Sequence, residues 1–264
     1  MYSNRSASEK EHASRVREMF AKISARYDLL NHLLSVNMDK RWRRRVASEL
    51  LGDLAGDAQA LDVACGTGDL ALTLFESTGG HVVGTDFCRP MLELAAQKAS
   101  KVKAAISFVE GDALSLPFRD DSFNRVAIAF GLRNFSSTDR GLTELLRVLK
   151  PGGKAAVLEF SRPIVPGFRA AFQFYFSTVL PWLGGIVSGS RSAYQYLPDS
   201  VSRFPDQKQL AALMRTIGFE EVEYKNLTGG IAALHLGKKP QRLQQRLVAR
   251  NVQPPSVVRG TGFQ

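Results

Sequence analysis

The ten residues from Leu61 to Leu70, LDVACGTGDL, constrain the fold of this chain most strongly. The apolar, partly β-branched run that opens this segment is typical of the end of a buried strand. Gly66 and Gly68 follow, and glycine permits backbone angles and a close ligand approach that other residues do not. Asp69 then lies where a helix would begin, since the helix dipole favours an acid in the first turn. The segment therefore predicts a strand, a tight turn and a helix, with a ligand held at the turn.

Two classes of ligand fit such a turn. Gly66, Gly68 and Ala71 match the dinucleotide pattern G-x-G-x-x-G/A, and Asp86 lies 20 residues after Gly66, where a ribose-binding acid is expected. A pocket for S-adenosylmethionine uses a similar turn and a similar acid. We favour S-adenosylmethionine because Asp69 would repel a pyrophosphate at the helix N-terminus, whereas acids at predicted strand ends suit a cationic sulfonium. These acids are Asp62, Asp69, Asp86 and Asp112.

Composition indicates a folded chain whose charge lies at its ends. The apolar share of 44% and the charged share of 23% are ordinary for globular proteins. The net charge is +10, yet residues 1–50 hold 11 Lys/Arg against 6 Asp/Glu, and residues 238–264 hold 6 Lys/Arg and no acid. The part of the chain between these two segments is close to neutral, so a partner with an anionic surface would bind at the two ends of the chain. Cys65 and Cys88 lack the spacing of a metal site, and two cysteines make no disulfide framework, which favours a reducing cytoplasm.

Strands and helices alternate from residue 59 onward. Runs at 81–86, 106–110, 125–130 and 154–160 read as further strands, with helical runs between them. This alternation predicts an α/β fold with a doubly wound, mostly parallel sheet and ligands at the carboxyl ends of the strands. Runs at 221–226 and 231–236 predict a closing hairpin with one antiparallel strand. Asp86, Asp112, Arg133 and Asn134 should all face one crevice.

The regions outside this alternation have their own patterns. Residues 1–50 predict a helical extension that closes the pocket, with a helix over 10–25 and a second helix capped by Asp39. We read the arginines around Trp42 either as a solvated face or as a surface that meets lipid headgroups. Residues 51–239 form the main domain, and 163–204 predict an aromatic helical insertion over a hydrophobic substrate site. The basic segment 240–264 reads as a mobile tail.

Several motifs together give a resemblance to a known family. The turn Asp62-x-x-x-Gly66-x-Gly68, the acid Asp86 and the runs Gly111-Asp112-Ala113 and Pro151-Gly152-Gly153 resemble class I S-adenosylmethionine-dependent methyltransferases. Tyr27-Asp28-x-x-Asn31-x-x-Leu34-Ser35 with Trp42, and the run from Arg147 to Gly153, resemble the two signatures of the ubiquinone/menaquinone biosynthesis C-methyltransferases. Phe130-Gly131-Leu132-Arg133-Asn134 is also typical of them. The resemblance covers about residues 10–239. It departs where the family usually has Met and His and this chain has Leu30 and Asp39.

The resemblance implies a seven-stranded class I fold and methylation of a ring carbon in a prenylated quinol. It implies S-adenosylmethionine as the cofactor, held by Asp62, Gly66, Thr67, Gly68, Asp86, Asp112 and Ala113. Arg133 would stabilise a phenolate and Asn134 would orient the ring oxygen. The substrate would contact Tyr27, Asp28, Asn31, Tyr196 and Arg203. We expect the naphthoquinol, demethylmenaquinol, although no residue distinguishes it from the benzoquinol of ubiquinone synthesis.

Partners and location follow from the same observations. A prenylated substrate and basic ends suggest a cytoplasmic protein in peripheral contact with the inner face of the cell membrane. We expect no metal, because the cysteines lack the spacing of a metal site, and no nucleic-acid partner, because the charge lies at the ends of the chain and the flanks of the crevice look apolar. The alternatives are a methyltransferase for RNA or for another small molecule, and a donor-binding protein without catalysis. The oligomeric state stays open, a homodimer included.

Overall fold

The sheet determines where a ligand site can lie. A computed structural model describes residues 6–35, 37–52, 58–165 and 191–241, without side-chain detail at 25–34, 191–195 and 197. The strands are β1 (Ala60–Val63), β2 (Val82–Asp86), β3 (Ile106–Glu110), β4 (Phe123–Ala129), β5 (Leu149–Phe160), β6 (Glu220–Leu227) and β7 (Ala232–Lys238). They form one sheet in the order β3-β2-β1-β4-β5-β7-β6. Every pairing is parallel except those of β7, which runs antiparallel to β5 and β6. The predicted doubly wound sheet with one antiparallel strand is confirmed.

Helices cover both faces of this sheet. In the described residues they are α1 (Ala7–Leu34), α2 (Met38–Leu51), α3 (Asp69–Thr78), α4 (Arg89–Lys101), α5 (Thr138–Val148), α6 (Arg191–Arg203) and α7 (Gln207–Ile217). Local chemistry fixes their ends. Asp206 and Gln209 form a reciprocal capping box at the start of α7, and Gly79 ends α3 in the left-handed conformation. Pro90 occupies the first turn of α4, where its missing N–H costs nothing.

The core divides into two layers because side chains alternate along each strand. On β4, Val126 and Ile128 point into one apolar cluster and Ala127 into the other. Residues from α5 and α7 complete the first cluster, and residues from α2 and α3 complete the second. The fully buried members from these helices include Leu142, Leu145, Leu210, Met214, Val46, Leu50 and Leu74. Helices on both faces therefore leave the carboxyl ends of the strands as the accessible edge.

The strand order reverses between β1 and β4. The chain runs from β1 outward through β2 to β3, then returns to the other side of β1 to place β4. Connections on the two sides of this point lead to opposite faces of the sheet, so a crevice opens beyond the carboxyl ends of β1 and β4. The glycine turn after β1 lies at this crevice.

The N-terminal region differs from the sequence-based expectation. One helix, α1, runs without a break from Ala7 to Leu34, where the sequence predicted a helix over 10–25 only. The prediction that Asp39 caps α2 is wrong. Asn37 precedes this helix with a left-handed φ of 59°, and Asp39 lies buried in the first turn. Asp39 is drawn inward because its carboxylate accepts hydrogen bonds from Ser35 Oγ and Arg43 Nη1, both at 2.6 Å.

Two predictions fall partly or wholly outside the described residues. The aromatic insertion predicted at 163–204 is described only at its two ends, and nearly all of the tail predicted at 240–264 lies beyond residue 241. Among the helices of the described ranges, none is long and apolar enough to cross a membrane.

Candidate active site

A cavity of about 760 Å³, measured with the open space at its mouth, occupies the crevice. Its floor comes from the segments after β1, β2, β3 and β4, and α1 forms one wall. The residues from the strand ends include Ala64, Gly66, Asp86, Phe87, Asp112, Ala113, Phe130 and Asn134. From α1 come His12, Ala13, Val16 and Phe20. The cavity brings together most of the predicted donor-binding residues.

The glycine turn needs its glycines for two reasons. Gly66 and Gly68 adopt left-handed φ angles of 54° and 82°, which side chains rarely tolerate. A Cβ on Gly68 would also lie 3.0 Å from the Cβ of Ala95 and 3.3 Å from the ring of Phe108. The turn is therefore fixed both by its own conformation and by helix α4 packed behind it.

Asp86 is held at the end of β2 by backbone donors. The N–H of Gly66 donates to Oδ2 and the N–H of Cys88 donates to Oδ1, each at 2.9 Å. Burial raises the pKa of this carboxyl, and the backbone hydrogen bonds act in the opposite direction. The contacts fix the carboxylate beside the glycine turn, where its oxygens can also accept from a bound ligand.

A smaller cavity of about 360 Å³ shares Ala64, Gly66 and Phe130 with the larger one. Asp62, Thr67, Asp69 and Arg43 line it. Asp62 is 1% exposed, and its Oδ2 has no hydrogen-bond partner among the described residues. Burial raises the pKa of Asp62 to about 8. A buried acceptor without a partner is costly, and a donor from a ligand would satisfy it.

Asp69 does not present a free negative charge. Its carboxylate makes ion pairs with Lys98 Nζ and, at 3.3 Å, with Arg43 Nη1. Lys98 also donates to Thr67 Oγ1 at 3.2 Å. With two cations beside it, Asp69 repels a pyrophosphate less than a free carboxylate would, so this residue alone does not decide between the two ligand classes. The choice between the two ligand classes must come from elsewhere.

Arg133 and Asn134 lie on a short 3₁₀ turn, Leu132–Asn134, just after β4. The Arg133 side chain is buried: Nη1 donates to Glu159 Oε2 at 3.0 Å and to the carbonyl of Phe130, and the guanidinium packs over the ring of Phe160. Arg133 is not among the described residues that line the larger cavity. Asn134 lines that cavity, and its Oδ1 is buried with no partner in the described part of the chain.

Glu159 is a site residue that our sequence patterns did not identify. It is 1% exposed and accepts from the N–H and the guanidinium of Arg133 and from the N–H of Phe160. An acid inside the apolar run AAVLEF was the available signal, because a buried carboxylate requires a partner. Similarly, α1 contributes Val16 and Phe20 to the cavity. The helical spacing of these two residues indicates a buried face, but it does not show that this face covers the ligand site.

The structure gives side-chain detail for only two of the predicted substrate residues, Tyr196 and Arg203. Tyr27, Asp28 and Asn31 lie on the C-terminal half of α1, where the structure gives the backbone alone. Tyr196 lies on α6, where burial raises the pKa of its phenol and Arg133 acts in the opposite direction. Arg203 is exposed and donates through Nε to the carbonyl of Asp199 at 3.2 Å. It does not reach the cavity lining.

Comparison with solved structures supports the fold. A structure from Thermotoga maritima, described as an S-adenosylmethionine-dependent methyltransferase and possible histamine N-methyltransferase, matches with a TM-score of 0.59 at 19% identity. The match covers 84% of this chain and 98% of that one. At this identity the likeness concerns the fold alone.

Comparison with sequences identifies the family. The demethylmenaquinone methyltransferase of Thermus thermophilus is 49% identical over 223 residues, which cover 84% of this chain and all of that protein. The ubiquinone/menaquinone biosynthesis C-methyltransferase UbiE of a Geobacter species is 45% identical over 233 residues, 87% of this chain and 98% of that protein. The model of the ubiE/COQ5 methyltransferase family matches residues 7–239, from α1 to the end of β7. The chain belongs to the ubiE/COQ5 methyltransferase family.

Proposed function

We propose that this protein transfers a methyl group from S-adenosylmethionine to a ring carbon of a prenylated quinol, and that the quinol is demethylmenaquinol. One observation carries the proposal: the Thermus demethylmenaquinone methyltransferase matches this chain along the whole of its own length at 49% identity. The benzoquinol of ubiquinone synthesis is the second candidate, because several relatives at 43–45% identity have names that cover both quinones.

The residues of the two cavities fit the proposed donor. Asp86 lies where it can accept from the ribose hydroxyls, and Asp112 and Ala113 form the wall that suits the adenine. In the smaller cavity, the unpartnered Oδ2 of Asp62 can accept from the donor's ammonium group. Gly66 and Gly68 bring the backbone close to the ligand between these ends.

When bound, S-adenosylmethionine supplies a methyl group on a sulfonium, which a carbon nucleophile can attack in line. The protein's task is then to align the ring and to favour its phenolate form. Asn134 suits the first task, because it lines the cavity and its buried Oδ1, which has no partner among the described residues, could accept from a ring hydroxyl.

Arg133 suits an indirect role. Its charge is shared with Glu159, and its Nη1 holds the carbonyl of Phe130, a residue with a left-handed φ of 57°. We infer that Arg133 fixes the turn that presents Asn134 and adds a positive field beside the ring oxygen. Tyr27, Asp28 and Asn31 remain proposed substrate contacts, as do Tyr196 and Arg203 on α6.

We also propose that the protein meets the membrane surface to reach its substrate. Lys40, Arg41 and Arg44 are exposed on α2, and Ile164 and Val165 are 56% and 49% exposed where the chain leaves β5. Exposed cations and exposed apolar side chains are both features that suit an anionic lipid surface. The location at the inner face of the membrane rests on this inference.

A methyl-transfer assay tests the function. Purified protein with labelled S-adenosylmethionine would be offered demethylmenaquinol, the ubiquinone-branch benzoquinol and a quinol without a prenyl tail, in detergent. We expect transfer to the prenylated naphthoquinol and a loss of about 100-fold or more in kcat/KM for Asn134→Ala, since a positioning contact is lost. Transfer to none of the quinols, with donor binding intact, would refute the substrate assignment and make structured RNA the next substrate to test.

A further inference from the structure

Arg43 behaves unlike the other cations of α2. Lys40, Arg41 and Arg44 are exposed, whereas Arg43 is only 7% exposed. The expectation that these arginines form a solvated face or a lipid-contacting face is therefore wrong for Arg43. A buried guanidinium is costly unless its surroundings compensate it, so its position calls for a reason.

The helix itself supplies one partner that holds Arg43 in place. Asp39, one turn earlier and 2% exposed, contacts Nη1 of Arg43 at 2.6 Å. Asp69, at the start of α3, contacts the same nitrogen at 3.3 Å. Both carboxylates thus use one nitrogen. The described residues offer no carboxylate partner to Nη2 or Nε, the edge of the guanidinium that could hold another carboxylate in a bidentate pair.

Arg43 and Asp62 line the same small cavity without pairing with each other. Asp62 has a buried oxygen with no partner, and Arg43 has its remaining donors. One buried acid and one buried cation on the walls of a single cavity match a ligand that carries both an ammonium and a carboxylate, since an ammonium would favour the ionised form of the acid. An α-amino acid group has this chemistry, with an ammonium for the carboxylate and a carboxylate for the guanidinium.

We propose that Arg43 binds the α-carboxylate at the amino-acid end of the methyl donor, opposite Asp62 at the ammonium, and that Asp39 holds the guanidinium for this purpose. The inference rests on the proposed use of S-adenosylmethionine. The competing explanation is structural: Arg43 would only tie α2 to α3 through Asp69.

Ligands that differ in the carboxylate alone distinguish the two explanations. Calorimetry would compare S-adenosylhomocysteine with its decarboxylated analogue, which keeps the ammonium. Wild type should bind S-adenosylhomocysteine about 10- to 100-fold more tightly, the range for a hydrogen-bonded charge pair. Arg43→Met should abolish this preference and leave the affinity for the analogue within about threefold, as the logic of a double-mutant cycle requires.

Two further variants keep the test interpretable. Arg43→Lys retains the positive charge but not the planar guanidinium that can form a bidentate pair. It should lose part of the preference for S-adenosylhomocysteine over the analogue while keeping the fold. Arg45→Met removes an exposed cation, paired with Glu49 on the same helix, and should change neither affinity. Thermal melts would establish that each variant is folded.

The outcomes separate this inference from the proposed function. An equal loss of affinity for both ligands in Arg43→Met and Arg43→Lys, or no loss for either, would overturn the role of Arg43 while donor binding by wild type still stands. Failure of wild type to bind S-adenosylhomocysteine at all would overturn both proposals.

Discussion

Among single residues, Asp62 is costly in the free protein because its carboxyl is buried, and its unpartnered oxygen suits the proposed contact with the donor's ammonium. Its pKa is raised to about 8 by burial, against an ordinary value of 3.8. The folded state therefore binds this proton more tightly than the unfolded state does. Stability from this group is complete below about pH 4 and falls as pH rises toward 8, by up to about 1.4 kcal/mol per pH unit.

We therefore expect Asp62→Asn to be more stable than wild type at pH 8, with the difference shrinking toward pH 5. Urea unfolding at pH 5, 6.5 and 8 measures the difference, and Asp199→Asn, at an exposed site, is the control. The same variant should lose affinity for S-adenosylhomocysteine, because the amide no longer offers an anion to the ammonium. A wild-type stability curve parallel to that of Asp62→Asn would contradict the assignment.

Glu159 and Arg133 form a buried pair whose two side chains are 1% and 7% exposed. Removing one member leaves the other charge without a partner, so Glu159→Gln should lower the free energy of unfolding by about 3–5 kcal/mol. Adding Arg133→Met removes the stranded cation, and the double variant should recover part of that loss. Chemical denaturation measures all three proteins. If the double variant is no more stable than Glu159→Gln, the two side chains are not coupled.

Helix α1 is the element that connects the N-terminal region to the donor cavity. Val16 is 3% exposed and lines the cavity, and His12 Nε2 lies 3.1 Å from the carbonyl of Asn134. A carboxylate at position 16 would be buried without a partner, so Val16→Asp should disrupt the packing of α1 against the cavity. We expect affinity for S-adenosylhomocysteine to fall at least about tenfold, with far-ultraviolet circular dichroism largely retained.

Ser14→Asp, exposed on the same helix, is the matched control and should bind like wild type. Equal affinity in Val16→Asp and wild type would mean that α1 takes no part in donor binding. Global unfolding of Val16→Asp would instead assign the helix to the core of the domain.

Elements with strong local signals were predictable, and contacts between distant segments were not. The strands from β1 to β7 follow from runs in the sequence, which place the fifth strand at 154–160, after Pro151-Gly152-Gly153. Instead β5 starts at Leu149 and contains these residues, with Gly152 at a φ of 75°. The roles of Arg43, Asp69 and Glu159 depend on partners 26 to 29 residues away, which no local pattern encodes. The prediction that Asp39 caps α2 was wrong because its carboxylate forms an ion pair with Arg43, one turn later on the same helix.

At the scale of the whole molecule, charge and apolar exposure decide how a lipid substrate is reached. The net charge of +10 is concentrated at the two ends of the chain, and the described part of the N-terminal end exposes Lys40, Arg41 and Arg44 on one helix. Each basic residue near an anionic bilayer contributes roughly 1 kcal/mol at low ionic strength. The triple variant Lys40→Gln, Arg41→Gln, Arg44→Gln should therefore bind phosphatidylglycerol vesicles at least about 30-fold more weakly.

Co-sedimentation with these vesicles measures the binding, and added salt should weaken wild type more than the triple variant, since exposed charges are screened. The matched control neutralises Lys101, Lys103 and Lys208, three exposed lysines on other helices and loops, and it keeps the basic residues beyond position 238. If membrane contact delivers the substrate, the triple variant should lose kcat/KM on quinol embedded in vesicles and keep it on quinol dissolved in detergent. Equal losses in the triple variant and the control would reduce the effect to net charge, and α2 would no longer be the contact surface.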